Sequence, residues 1–183
     1  MIREFETYSP QIAQTAFIDP TALVIGQVTL GEHSSVWPMT VVRGDINQIT
    51  IGNYTNIQDG SVIHVTHQGR FNETGFATIV GDQVTVGHRV VLHGCHIGNL
   101  CLIGMNTCIM DGAVLEDQVI LGAGSLVTPG KVLTAGYLWV GSPARKVRPL
   151  TQQERDFLRY SAEYYAKLKN RHLPNMQSPE KSE

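Results

Sequence analysis

An apolar residue returns every six positions along most of this chain: Ile12, Ile18, Val24, Leu30, Val36 and Val42, then Ile51, Ile57 and Ile63, then Val80, Val86 and Leu92. After a five-residue step the series resumes as Ile97, Ile103, Ile109, Leu115, Leu121, Val127 and Leu133. A period of six matches neither the 3.6 of an α-helix nor the alternation of a plain strand; it fits a short strand followed by a corner. One such unit cannot bury its apolar residue alone, so units must stack, and hexapeptide repeats are the signature of a parallel β-helix. Three units make a triangular coil whose marks point inward, with coils about 4.8 Å apart. Glycine directly follows Ile51, Val80, Val86, Ile97, Ile103 and Leu121, and 18 glycines against 7% aromatic residues agree with a frame built from tight turns.

The repeat breaks twice. Three residues are inserted around Asp45 to Gln48, and eleven between Ile63 and Val80, where 68–77 reads as an exposed loop with Gly69, Asn72 and Gly75. Solenoid insertions form loops on one side, often beside the binding surface. After Leu133 the pattern fades through Gly136, Gly141, Pro143 and Pro149, and Thr151-Gln152-Gln153-Glu154 forms a capping box. A helix is predicted from there to about His172, with Phe157, Leu158, Tyr160, Tyr164, Tyr165 and Leu168 as the stripe that packs on the coil. The organisation expected is a β-helix domain over 1–148 that holds the site, a C-terminal helix over 149–173 and a flexible tail over 174–183.

The 183 residues suit one domain, and a net charge of -2 supplies no field for a phosphate backbone, which excludes nucleic acid as a partner. Cys95, Cys101 and Cys108 are odd in number and lack CxxC spacing, so they read as small buried residues in a reducing compartment. No apolar run approaches the roughly 20 residues of a membrane span, and the charged start Met1 to Glu6 does not read as a signal peptide. The expected location is the cytoplasm.

Counting steps around the coil assigns faces. Val42, Ile63 and Leu92 stack on one face, so Arg43, His64 and His93 project outward from it, while the neighbouring face stacks Ile57 under Val86 and presents Gln58, Asp59 and His88. His64 and His93 then stand about 4.8 Å apart on adjacent coils, near enough for both imidazoles to reach one ion at about 2.0 Å. His88 lies around a corner, on the order of 10 Å or more away at about 3.3 Å per residue. One chain offers two ligands and a neighbour's His88 must supply the third. Closed symmetry with a triangular prism points to a trimer with three identical sites. Three neutral imidazoles and a water are a ligand set that generates hydroxide near neutral pH; zinc is the first choice, with ferrous iron or cobalt acceptable. Arg43, Asp45, Gln58 and Asp59 surround the same faces: Arg43 and Asp59 are placed to pair between subunits, and Gln58 to orient a water or small oxyanion. His33, His67, His96 and His172 lack this placement.

The run Arg43-Gly44-Asp45, then Asn56-Ile57-Gln58-Asp59-Gly60, then His64, His88 and, five residues on, His93, resembles the γ-class carbonic anhydrases, in particular their short bacterial carbonic anhydrase-like group, over roughly residues 10 to 170. The resemblance implies a left-handed β-helix, a homotrimer, and reversible hydration of carbon dioxide to bicarbonate by metal-bound hydroxide. Carried over by position, it implies His64 and His93 from one subunit and His88 from the next as metal ligands, Arg43 and Asp59 bridging subunits, Asp45 supporting Arg43 or a neighbouring group, Gln58 holding water or bicarbonate, and Tyr164 over the site, with Tyr160 and Tyr165 beside it. Ile46 and His67 stand where the archaeal prototype of the family has proton-shuttling glutamates, so rapid proton removal is not implied. Three other readings share the solenoid: a coenzyme A-dependent acyltransferase with a single histidine base, a thioesterase acting on acyl-CoA, and a non-catalytic trimeric scaffold that keeps the metal for assembly.

Overall fold

A computed structural model describes residues 1–176. Almost every hexad contributes a two- or three-residue strand, and strands from successive coils pair in parallel to build a left-handed β-helix. The first face stacks Ile18, Val36, Ile57, Val86, Ile103, Leu121 and Trp139. The second stacks Val24, Val42, Ile63, Leu92, Ile109 and Val127. The third stacks Ile12, Leu30, Ile51, Val80, Ile97, Leu115 and Leu133. Two long strands, Leu23–Leu30 and Val41–Ile51, run round the corner and join the second and third faces into one sheet. The repeat marks from Val36 to Leu133 form one buried column per face, each side chain contributing about 1.5–3 kcal/mol by leaving water.

The turn chemistry differs from the simple expectation. At many corners the left-handed residue falls three past the mark and is often not glycine: His33 has φ 59° and Gln83 φ 57°. Such a residue costs about 1 kcal/mol and persists because the stacked coils on either side fix it. The glycines directly after the marks serve a different purpose. A Cβ on Gly52 would lie 2.7 Å from the carbonyl oxygen of Gly81 on the next coil, so this column stays bare to let backbones approach.

Beside it runs a ladder of short polar side chains. Asn53 Oδ1 accepts the Glu32 N–H at 2.8 Å, Asp82 that of Asn53 at 2.7 Å, Asn99 that of Asp82 at 2.9 Å, and Asp117 that of Asn99 at 2.7 Å. Each coil thereby satisfies a corner amide of the coil before it. Amide and carboxylate alternate, which keeps like charges off adjacent coils.

The capping box forms as read: Glu154 accepts the Thr151 N–H at 2.8 Å, and Thr151 Oγ1 accepts the Glu154 N–H at 3.2 Å. The helix Gln152–Met176 descends the first face against the growth of the coil, with Ser161 beside Thr85, Tyr165 against Trp37, and His172 against Trp37 and Phe17. It runs one turn past the expected end at His172. The expected tail from residue 177 onward lies outside the described residues. Half of the expected apolar stripe is not what packs: Leu158, Ser161, Ala162 and Lys169 are buried, while Phe157, Tyr160 and Tyr164 are exposed. No described helix is long and apolar enough to cross a membrane.

Candidate metal centre

The parallel register sets His93 directly against His64. Their rings meet with His64 Nδ1 3.1 Å from His93 Nε2. The outer nitrogen of each is bound to a carboxylate: His64 Nε2 lies 3.1 Å from Asp45 Oδ1, and His93 Nδ1 2.6 Å from Asp111 Oδ1. A carboxylate can only accept, so both outer nitrogens carry the proton and the two inner nitrogens are left with lone pairs aimed at one another. That arrangement repels itself unless a cation lies between. Two ligands at about 2.0–2.1 Å on a tetrahedral ion are separated by about 3.3 Å, so the gap fits a divalent metal.

The first insertion places Asp45 here. Its Oδ2 accepts a hydrogen bond from Arg43 Nη1 at 2.5 Å, so one carboxylate joins Arg43 to His64. Burial alone would raise the Asp45 pKa, but hydrogen bonds from Arg43 and His64 outweigh it and hold the carboxyl below its ordinary value. Burial also lowers the His64 pKa, partly opposed by Asp45, which keeps the ring in the neutral form a metal requires.

His88 belongs to the first face, on the far side of a corner. Its Nδ1 lies 2.9 Å from Asp59 Oδ2 on the coil below, its side chain is 44% exposed, and its Nε2 has no partner among the described residues. Within one chain, among the described residues, no three donors gather to hold an ion. The structure therefore brings together His64, His93, Asp45 and Arg43, and separately His88 and Asp59.

Gln58 projects from the coil as counted but is not open to solvent, because the helix covers it. Its Nε2 donates to Asn56 Oδ1 at 3.0 Å, Asn56 Nδ2 donates to Thr85 Oγ1 at 3.1 Å, and Thr85 meets Ser161 of the helix at 2.9 Å. Gln58, His88, Met105, Phe157 and Tyr165 line a cleft of about 290 Å³ between helix and coil. Tyr165 is the helix tyrosine in that cleft. Tyr164 is exposed, with its ring centroid 6.0 Å from that of Tyr165.

The hexad count alone does not single out Asp111, or Thr66, whose Oγ1 donates to Asp111 Oδ2 at 2.7 Å. The step count that aligned His64 with His93 also sets Ile109 over Leu92, which places the Asp111 corner one coil beyond His93.

Such a coil, with paired outward histidines on one face, defines a hexapeptide-repeat protein. No protein-family model matches the chain. Individual relatives do. It is 48% identical over 173 residues to Protein YrdA of Escherichia coli, covering 94% of each chain. It is 42% identical over 157 residues to a probable carbonic anhydrase of Methanocaldococcus jannaschii, covering 86% of this chain and 94% of that one. It is 40% identical over 171 residues to the mitochondrial gamma carbonic anhydrase 1 of Arabidopsis thaliana, covering 93% of this chain and 62% of that one. Among solved structures, a hexapeptide transferase family protein of Anaplasma phagocytophilum superposes with a TM-score of 0.85 at 41% identity, covering 92% of this chain and 96% of that one. A putative acetyltransferase of Bacillus cereus superposes with a TM-score of 0.87 at 37% identity, over 93% and 95%. The chain belongs to the γ-class carbonic anhydrase family.

Proposed function

We propose that three copies of this chain assemble around shared sites, each gripped by His64 and His93 of one subunit and His88 of the partner subunit, and hydrate carbon dioxide reversibly to bicarbonate in the cytoplasm. The observation behind this reading is the pair of inner nitrogens, 3.1 Å apart with their outer nitrogens held by carboxylates, which needs a cation and a further donor. A bound divalent ion, zinc first and iron or cobalt next, supplies the Lewis acidity that brings the pKa of water to about 7.

The chain's own residues supply the rest. Asp45 and Asp111 hold the two imidazoles in the tautomer that turns a lone pair toward the ion. Arg43 balances Asp45 within the chain, and across the interface it is placed to bind the partner's Asp59. Gln58, already oriented by Asn56, offers its amide to water or bicarbonate in the cleft beside His88. Tyr165, in place of the expected Tyr164, faces that cleft from the helix, with Tyr164 exposed beside it.

A column of outward apolar side chains supports the assembly. Leu23, Val41, Val62, Val91, Cys108 and Leu126 stack in register beside the histidine pair, and Val62 and Val91 are 40% and 36% exposed. Burial against a second copy would remove them from water.

The acyltransferase reading needs a histidine free to act as a base. His64 and His93 each have one nitrogen on a carboxylate and the other on the neighbour ring, so the base that reading would use is His88, with Nδ1 on Asp59 and Nε2 without a partner among the described residues. Metal content per subunit, solution mass and carbon dioxide hydration, measured on one preparation, test the proposal. One metal per chain in a trimer with hydration lost in His88→Ala supports it. A metal-free protein that transfers acyl groups from coenzyme A, or a monomer, overturns it.

A further inference from the structure

We infer that Asp111, pinned by Thr66, is a positioning residue that fixes the His93 ring and so sets how strongly the shared site holds its metal. The inference rests on the metal reading above and assigns a duty to two residues outside the ligand set.

Both oxygens of the Asp111 carboxylate are committed. Oδ1 lies 2.6 Å from His93 Nδ1, and Oδ2 accepts the Thr66 hydroxyl at 2.7 Å. The backbone is shaped to allow the first contact: a Cβ on Gly94 would lie 2.6 Å from Asp111 Oδ1, so any larger residue beside His93 would displace the carboxylate. Thr66 is itself fixed at the base of the long insertion. Its N–H donates to the Phe76 carbonyl at 2.9 Å, the Phe76 N–H returns the bond at 2.9 Å, and its carbonyl accepts from Asn47 Nδ2 at 3.1 Å. The two insertions that interrupt the repeat therefore meet at Thr66, and through Asp111 they reach His93.

The consequence follows from the tautomer. With an anion on Nδ1, His93 keeps its proton there and presents Nε2 as the donor facing His64. An amide in place of the carboxylate can turn its NH₂ toward Nδ1, which moves the proton to Nε2 and removes the lone pair the site uses. Fixing a ligand's ring in this way is typically worth 10–100-fold in metal affinity.

The test uses the full chain and two readouts. Long-range ¹H–¹⁵N spectra of the metal-free protein report the His93 tautomer, and competition titration reports zinc affinity, with the visible spectrum of the cobalt form as a check on ligand geometry. We expect the parent to hold the Nδ1–H form. Asp111→Asn should shift the ring signals and weaken zinc about 10–100-fold, Asp111→Glu should recover part of that, and Thr66→Val should lose about several-fold. Should Asp111→Asn fail to fold, Thr66→Val keeps the carboxylate and serves both readouts. An Asp111→Asn protein with parental ring signals and zinc affinity overturns the inference. A parent that binds no zinc, iron or cobalt overturns the metal reading instead, and the tautomer still decides whether Asp111 orients His93.

Discussion

His64 and His93 meet nitrogen to nitrogen at 3.1 Å, and a different carboxylate holds each ring from behind, Asp45 for one and Asp111 for the other. In the metal-free protein this geometry sets two lone pairs against each other, so an ion that fills the gap should stabilise the fold as well as equip it. At zinc about a hundredfold above the dissociation constant, stability should rise by about 2.7 kcal/mol per site. Burial lowers the His64 pKa, so acid competes less with the ion at that ring than at an ordinary histidine, and the zinc effect should fade only as acid charges the ligating imidazoles. Thermal melts with and without zinc, at several pH values, check this. A zinc-independent melting temperature, or a shift that survives in both His64→Ala and His88→Ala, would count against the shared site.

The order of the faces was legible in the sequence because counting hexads needs only the apolar marks, and Val42, Ile63 and Leu92 do stack as counted. The duty of Asp111 was not, because it depends on a side chain reaching back across one coil. The helix face differs from the expected stripe for a reason of size: Ser161 and Ala162 are small enough to let a helix lie close on a flat sheet, and a stripe read from large apolar residues passes over them. That close approach also explains why Gln58, outward by alternation, ends up covered. The separation of His88 from the His64–His93 pair was legible as well, because the same count sets Val86 over Ile57 and so puts His88 on the neighbouring face.

The ladder of Asn53, Asp82, Asn99 and Asp117 makes a prediction about charge order. Asn99→Asp keeps an acceptor for the Asp82 N–H but sets three carboxylates on consecutive coils, about 4.8 Å apart, and loses the Asn99 Nδ2 contact with Asp117 at 3.3 Å. The cost should be about 1 kcal/mol at low salt and should shrink as salt screens it. Urea unfolding at low and high ionic strength measures both numbers. A loss of equal size in molar salt would mean that repulsion is not its cause.

At the helix start, hydrogen bonds from Arg148, and then the Thr151 N–H, hold the Glu154 pKa down at about 2 against an ordinary 4.5. A depressed carboxyl stabilises the fold at pH values above its unfolded pKa, and that contribution is lost as pH falls through the folded one. Helix content in the parent should therefore decline between about pH 4.5 and 2, and Glu154→Gln should flatten that part of the curve. The variant should cost about 0.5–1 kcal/mol at neutral pH, since glutamine retains the cap but loses the Arg148 ion pair. Far-UV circular dichroism across that range is the measurement.

Lys169 has its pKa lowered too, but there the shift counts against the folded state, so its removal should stabilise. It is only 1% exposed on the helix face that meets the coil, and its Nζ donates to Asn170 Oδ1 at 2.8 Å, one acceptor among the described residues for a group with three N–H bonds. Burial lowers its pKa from the ordinary 10.5, so the unfolded chain binds this proton more tightly than the folded one does. Stability should then rise as pH climbs from the folded pKa toward 10.5, because the unfolded state loses its advantage over that window. Lys169→Met keeps the length of the stem without the charge. It should stabilise the protein by about 1 kcal/mol at pH 7 and remove the rise at alkaline pH. Denaturant unfolding of both proteins between pH 7 and 10.5 decides it: a methionine variant less stable than the parent at pH 7 would show that the ammonium has a favourable partner.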